Sequence, residues 1–245
     1  MNTTSGTLPD FHFTKDNLDV YLKELGKQYR KLVGKKVPAE ITIVGGAAIL
    51  IHYGFRDMTN DVDAIIRAGS AMYEAADAVS ELFHLPSHWL NSDFTFTKSY
   101  TDKLAYYSEP YKTFSNILHV RVISGKYLIA MKLMSGRIYK NDLSDILGIL
   151  IAQREENEEI TLPQIKEAAE DLYENWERIP ERSRFFIESV FSDNKLTQLY
   201  QLYRDKELDA AQLLDEFEIQ YHDILNNDNV NDVIGILQQR ASKQK

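Results

Sequence analysis

Two aspartates one residue apart, Asp61 and Asp63, sit in the otherwise apolar run "DVDAIIR". Aspartate is depleted in strands, so its presence twice calls for a chemical reason. In an extended chain, residues i and i+2 project from the same face, which sets the two carboxylates side by side. They repel, and one is pushed towards protonation unless a cation lies between them. A hard cation such as Mg²⁺ relieves this, because it takes carboxylate oxygens and substrate phosphates together. Upstream, Gly45 and Gly46 fall between the apolar run "EITIV" and the small-residue run "AAILIH". Glycines there let the backbone approach a ligand, and the start of a helix offers N–H groups and a positive dipole end to a phosphate. Anion-binding turn and acidic pair together suit Mg²⁺–nucleotide chemistry. Taken alone, D-x-D is also what a solvated edge strand carries.

The elements that must position these residues are legible from periodicity. "TKDNLDVYLKELGKQYRKLVGK" repeats Leu18, Tyr21, Leu22, Leu25 and Tyr29 at helical spacing, with Thr14 or Asp16 as its cap and Gly34 and the lysines ending it. "AEITIV" and "DVDAIIR" read as strands, with a helix closed by Gly54 between them. "SAMYEAADAVSELFHL" is helical, and the β-branched "NILHVRVIS" is a strand. Phe94 and Phe96 alternate as in a strand, and a loop or short helix is expected after them. "KYLIAMKLMSG" and "NDLSDILGILIAQR" are helices, the second capped by Asn141 or Asp142, and everything from 160 onward reads as helix. The expected architecture is α+β, a mixed sheet with helices followed by an all-α C-terminal region, with domains 1–154 and 155–245.

The stretch "IVGGAAILIHYGFRDMTNDVDAII" resembles the nucleotidyltransferase superfamily, the polymerase-beta-like fold, in the variant R-x-x-T-x-D-x-D. It is similar to a bacterial group of uncharacterised nucleotidyltransferase-like proteins and to the nucleotidyltransferase toxins of abortive-infection systems. "YLIAMKLMSGRIYKNDLSDI" resembles the same families' segment of a lysine followed by D-x-x-D. The resemblance covers roughly residues 14–150. It implies that Gly45 and Gly46 hold nucleotide phosphates and that Asp61 and Asp63 bind Mg²⁺. It further implies that Lys132 contacts the triphosphate and that Asp142 or Asp145 completes the polar site. Arg56 and Thr59 would support the turn into the acidic strand or touch phosphate. Beside Asp142 and Asp145, Arg137 and Lys140 form a basic cluster that suits either phosphate binding or paired surface charge. The implied catalytic set is Asp61, Asp63, Lys132 and Asp142. The implied activity is Mg²⁺-dependent transfer of a nucleotidyl group from an NTP to a hydroxyl of RNA, protein or a small molecule. One departure stands out: many active members carry a third carboxylate on a neighbouring strand, and "NILHVRVIS" offers only His119 and Arg121. The alternative is therefore a catalytically inactive nucleotide-binding or interaction module, as in a toxin–antitoxin-like system.

Other chemistries find little support. "VGGAAIL" lacks G-x-G-x-x-G, and there is no G-x-S-x-G, no Walker A motif and no H-E-x-x-H. The chain has no cysteine, so disulfides and thiolate zinc sites are excluded and a reducing, cytoplasmic setting is expected. "MNTTSGTLPDFHFTKD" has no signal-peptide pattern and no apolar run approaches membrane-spanning length, so no membrane partner is expected. The net charge of −9 is unevenly spread. Residues 155–245 hold 21 acidic and 10 basic side chains, against 16 and 18 in residues 1–154. A polyanion should therefore meet the first part of the chain, while the acidic helices suit a homodimer or an antitoxin-like partner.

Overall fold

A computed structural model of the chain describes residues 11–192, 195–222, 224–226 and 229–243. The first ten residues of the N-terminal stretch read above lie outside the described residues. The chain divides into two compact units, Met1–Ser124 and Gly125–Lys245. The compositional break near residue 155 marks where the acidic surface begins, which is a different property from compactness.

In the first unit, α1 (Lys15–Val33) starts at Thr14. The Thr14 side chain accepts from the Asn17 N–H while Asn17 Oδ1 accepts from the Thr14 N–H, so two otherwise orphan donors are satisfied. β1 (Ala39–Ile43), α2 (Gly45–His52) and β2 (Val62–Arg67) follow, then α3 (Ala71–Phe83), β3 (Leu90–Asn91), β4 (Ser108–Phe114) and β5 (Leu118–Ile123). The five strands form one sheet in the order β3-β2-β1-β5-β4. β1 runs antiparallel to β2 and parallel to β5, which makes the sheet mixed. One sheet face is apolar and closed, with Ile41, Ile43, Val62, Ala64, Val120 and Val122 all buried. The opposite face carries Glu40, Asp63, Arg67, His119 and Arg121.

For residues 87–115 one expectation is corrected, one is met, and a strand not expected there is found. Phe94 and Phe96 lie in a single 3-10 turn, Asp93–Phe96, not in a strand; Phe94 is buried and Phe96 is 92 % exposed. The loop or short helix expected next is a 3-10 turn, Asp102–Ala105, and then the seven-residue strand β4. β4 is an edge strand, interrupted by Pro110 and by a register shift between Pro110 and Lys112. Ser115 and Asn116, both at positive φ (53° and 56°), are the central residues of a turn closed by Ile117 N donating to the Phe114 carbonyl at 3.1 Å, which leads into β5.

The second unit is helical among its described residues: α4 (Gly125–Ser135), α5 (Asp142–Glu155), α6 (Leu162–Tyr173), α7 (Glu181–Ser192), α8 (Leu196–Gln220) and α9 (Val230–Lys243). α5 packs against both α4 and α8. Ala210 and Leu214 of α8 bury against Val230 and Ile234 of α9, with Ile138 and Tyr139 packed on the same cluster. No helix among the described residues is long and apolar enough to cross a membrane.

Candidate functional site

The ten residues singled out in the sequence fall into two constellations, one in each compact unit. In the first unit, β1 delivers the chain through Val44 into α2. Val44, the cap residue of α2, makes no side-chain hydrogen bond of its own to the first turn. Gly45 stands at φ +62°, and a Cβ built on it would lie 2.9 Å from Asp63 Oδ2. A side chain is thus excluded both by the backbone and by the carboxylate. A Cβ on Gly46 would lie 2.5 Å from Thr59 Oγ1 and 3.1 Å from Arg56 Cζ. The glycine turn is therefore in direct contact with Asp63 on one side and with Thr59 and Arg56 on the other. Arg56 Nε donates to the Met58 carbonyl at 3.0 Å, which folds its side chain back over the segment that leads to Asp61.

The two aspartates differ in setting. β2 begins at Val62, so Asp61 precedes the strand and is exposed, whereas Asp63 lies within it and is half-buried. The expectation that both lie inside one strand is corrected to that extent. Asp63 is fixed through its backbone, since its carbonyl accepts from Val44 N at 2.9 Å. Among the described residues no group of three or more His, Cys, Asp or Glu is placed to hold a metal ion.

Along β5, Arg121 pairs in register with Thr42 and His119 with Glu40. Asp63 lies level with Val44, which puts His119 four residues away along β1, ~13 Å at the rise of a strand. His119 Nδ1 is 3.1 Å from Thr113 Oγ1. Arg121 is closer to the acids, and its guanidinium donates to Ser108 Oγ at 2.8 Å and to the Ser108 carbonyl. β1 lies between Arg121 and Asp63, so β5 brings to this sheet face a cation held against β4 and no third carboxylate.

In the second unit, Lys132, Arg137, Asp142 and Asp145 come together as the lysine followed by D-x-x-D suggests. Lys132 Nζ lies 3.0 Å from Asp142 Oδ1 and 2.8 Å from Asp145 Oδ2, with all three side chains nearly closed to solvent. Arg137 Nε donates to Asp142 Oδ2 at 2.9 Å. Burial alone would push the Asp142 carboxyl up, but Lys132 and Arg137 outweigh it and hold it far below the usual carboxylate range. The start of α5 holds a residue the sequence did not reveal. Asn141 occupies the cap position without a side-chain bond. Instead the Glu207 carboxylate, from α8, accepts from Leu143 N at 2.8 Å and from Ser144 N at 3.3 Å. Burial pushes Glu207 up to about 7, against those hydrogen bonds and with a further push from Asp145. Glu207 lies 62 residues from Asp145 in sequence within an ordinary acidic helix, and only its burial marks it.

Residues 21–185 match the model of one protein family. No curated protein and no solved structure matches the chain. With the glycine turn set against Asp63 and two-thirds of its length inside that family's model, the chain belongs to DUF6036, described as a nucleotidyltransferase of unknown function.

Proposed function

We propose that the protein is a Mg²⁺-dependent nucleotidyltransferase that moves a nucleotidyl group from an NTP to a hydroxyl acceptor. One observation carries this reading: Asp63 Oδ2 faces the Gly45 turn with no room between them for even a methyl group. A carboxylate oxygen set beside a glycine turn at the positive end of a helix brings a cation-binding group and an anion-binding backbone within reach of one ligand. The donor set fits the ion, because Asp61 and Asp63 offer hard carboxylate oxygens and leave the remaining positions to water and phosphate. When bound, Mg²⁺ would neutralise charge on the transferring phosphate. The Gly45–Gly46 turn and the first N–H groups of α2 hold the phosphate chain, and Thr59 and Arg56 brace that turn. The acceptor oxygen bonds to the α-phosphorus, the bond to the bridging oxygen of the β-phosphate breaks, pyrophosphate leaves, and the hydroxyl proton passes to solvent. Lys132, Arg137, Asp142 and Asp145 act by setting the corner between α4 and α5, and Arg137 is the member with a partly open side chain.

Label from each α-³²P-NTP with Mg²⁺ and cell extract should reach an acceptor with wild type, and this should be lost in Asp61→Asn/Asp63→Asn. Failure of wild type to bind any NTP in calorimetry would end the reading. The absence of an acid on β5, where Arg121 is held against Ser108, favours a second one, an NTP-binding module without transfer, which predicts calorimetric binding and no labelled product.

A further inference from the structure

The segment that carries Asp61 is clamped from two sides by residues far from it in sequence. On one side, Phe13 and Thr59 exchange both backbone hydrogen bonds, Phe13 N to Thr59 O at 2.7 Å and Thr59 N to Phe13 O at 2.9 Å. On the other, Val62 N donates to the Trp89 carbonyl at 2.8 Å. The two clamps touch each other, since the Phe13 and Trp89 rings stack with centroids 5.7 Å apart and both are buried. Between the clamped ends lie only Asn60 and Asp61. Asn60 is itself taken: its Oδ1, which can only accept, lies 2.9 Å from His12 Nδ1, so that ring nitrogen donates. His12 is in turn fixed by its own carbonyl, which accepts from Asn17 Nδ2 at 3.1 Å within the cap of α1. A chain of contacts therefore runs from the start of α1 through His12 and Asn60 to the residue before Asp61.

We propose that His12 is a positioning residue: through Asn60 it sets where the Asp61 carboxylate stands relative to Asp63, and residues 11–14 form a strap on the acidic pair. This rests on the metal-binding role assigned above to Asp61 and Asp63. The physical reason is that Asp61 precedes the ladder of β2 and the backbone bonds around it belong to Thr59 and Val62. Its placement must come from its neighbours, and partners one step removed from a ligand typically alter metal affinity by about 10–100-fold. The strap differs from a plain packing contact in that the deciding bond is polar and exposed, so its removal should leave the core intact.

The test uses the full chain and Mn²⁺ alone as probe, read by titration calorimetry and water-proton relaxation, with hydrogen exchange of residues 57–62 measured without metal. His12→Ala is expected to weaken Mn²⁺ binding about tenfold, to quicken exchange at the hydrogen-bonded Thr59 and Val62 amides, and to leave the melting temperature unchanged. His12→Gln, which keeps an N–H donor, should restore most of the affinity. Wild-type binding matched by His12→Ala would overturn the strap while leaving the acidic pair in place. Equal loss in both variants would overturn it too, because the effect would not follow the hydrogen bond. Absence of Mn²⁺ binding in wild type would instead remove the metal reading of Asp61 and Asp63, and the strap with it.

Discussion

At the scale of single residues, the two constellations fail in different ways when altered. Gly45→Ala places a side chain at φ +62° against Asp63 Oδ2. The backbone term alone costs about 1–2 kcal/mol. The larger effect is that Asp63 must swing away, so Mn²⁺ affinity should fall well beyond what the lower melting temperature accounts for. Thermal melts and Mn²⁺ titrations on one preparation check this, and unchanged affinity would separate Gly45 from the site. Lys132→Met acts by another route. It leaves Asp145 buried without its ion-pair partner, and Asp142 with Arg137 alone. Removing one member of a buried pair costs about 3–5 kcal/mol, to be read from urea denaturation. A Lys132→Met, Asp145→Asn double variant should recover part of that loss.

Elements explain what the sequence did and did not make legible. β1, β2, β5 and the helices follow from apolar runs and helical repeats because their buried faces are continuous. β4 was hidden, since an edge strand reading "SEPYKTF" has no apolar alternation, carries a proline and is broken by a bulge. Phe94 and Phe96 gave the opposite error, an alternation in sequence where a 3-10 turn buries one ring and bares the other. Gly45, Gly46, Thr59 and Asp63, singled out in the sequence, come together in the fold. The hydrogen bonds of Glu207 and His12 were not legible, because their partners are reached only through the fold. Glu207 supplies the prediction at this scale. Its carboxyl, near 4.5 when unfolded, is raised to about 7 in the folded chain. The folded state thus favours the proton, and Glu207 contributes most below pH 4.5 and loses that contribution as pH rises through 7. Facing it are Asp145 of α5 and the N–H groups of Leu143 and Ser144. Exchange at those two amides should quicken between pH 5 and 8 beyond the intrinsic pH effect, and Glu207→Gln should flatten the excess. An identical profile in the variant would remove Glu207 as the source.

For the whole molecule, the division at Ser124 and Gly125 redistributes charge. Residues 1–124 carry 14 acidic and 13 basic side chains, and residues 125–245 carry 23 and 15. The acidic pair and glycine turn therefore belong to a nearly neutral unit, and the surplus of negative charge to the helical one. The same division gives a test by substitution. A Cβ on Gly26 would meet Phe114 Cβ at 2.9 Å and the Phe114 backbone at 3.2 Å. Gly26→Ala should thus quicken hydrogen exchange in α1, β4 and β5, while Lys132→Met should do so in α4 and α5. Exchange that quickens uniformly along the chain in either variant would contradict two compact units.

The edge of the sheet has a consequence for how this chain meets others. A long flat edge strand is a template to which another chain can add its own strand. Here Pro110 removes a donor, the shift at Lys112 breaks the row, and Tyr111 and Lys112 are tied back to Asp19 of α1. The opposite edge, β3, is two residues long. Both edges are poor templates for a continuous ladder, which guards the sheet against growing from one molecule into the next.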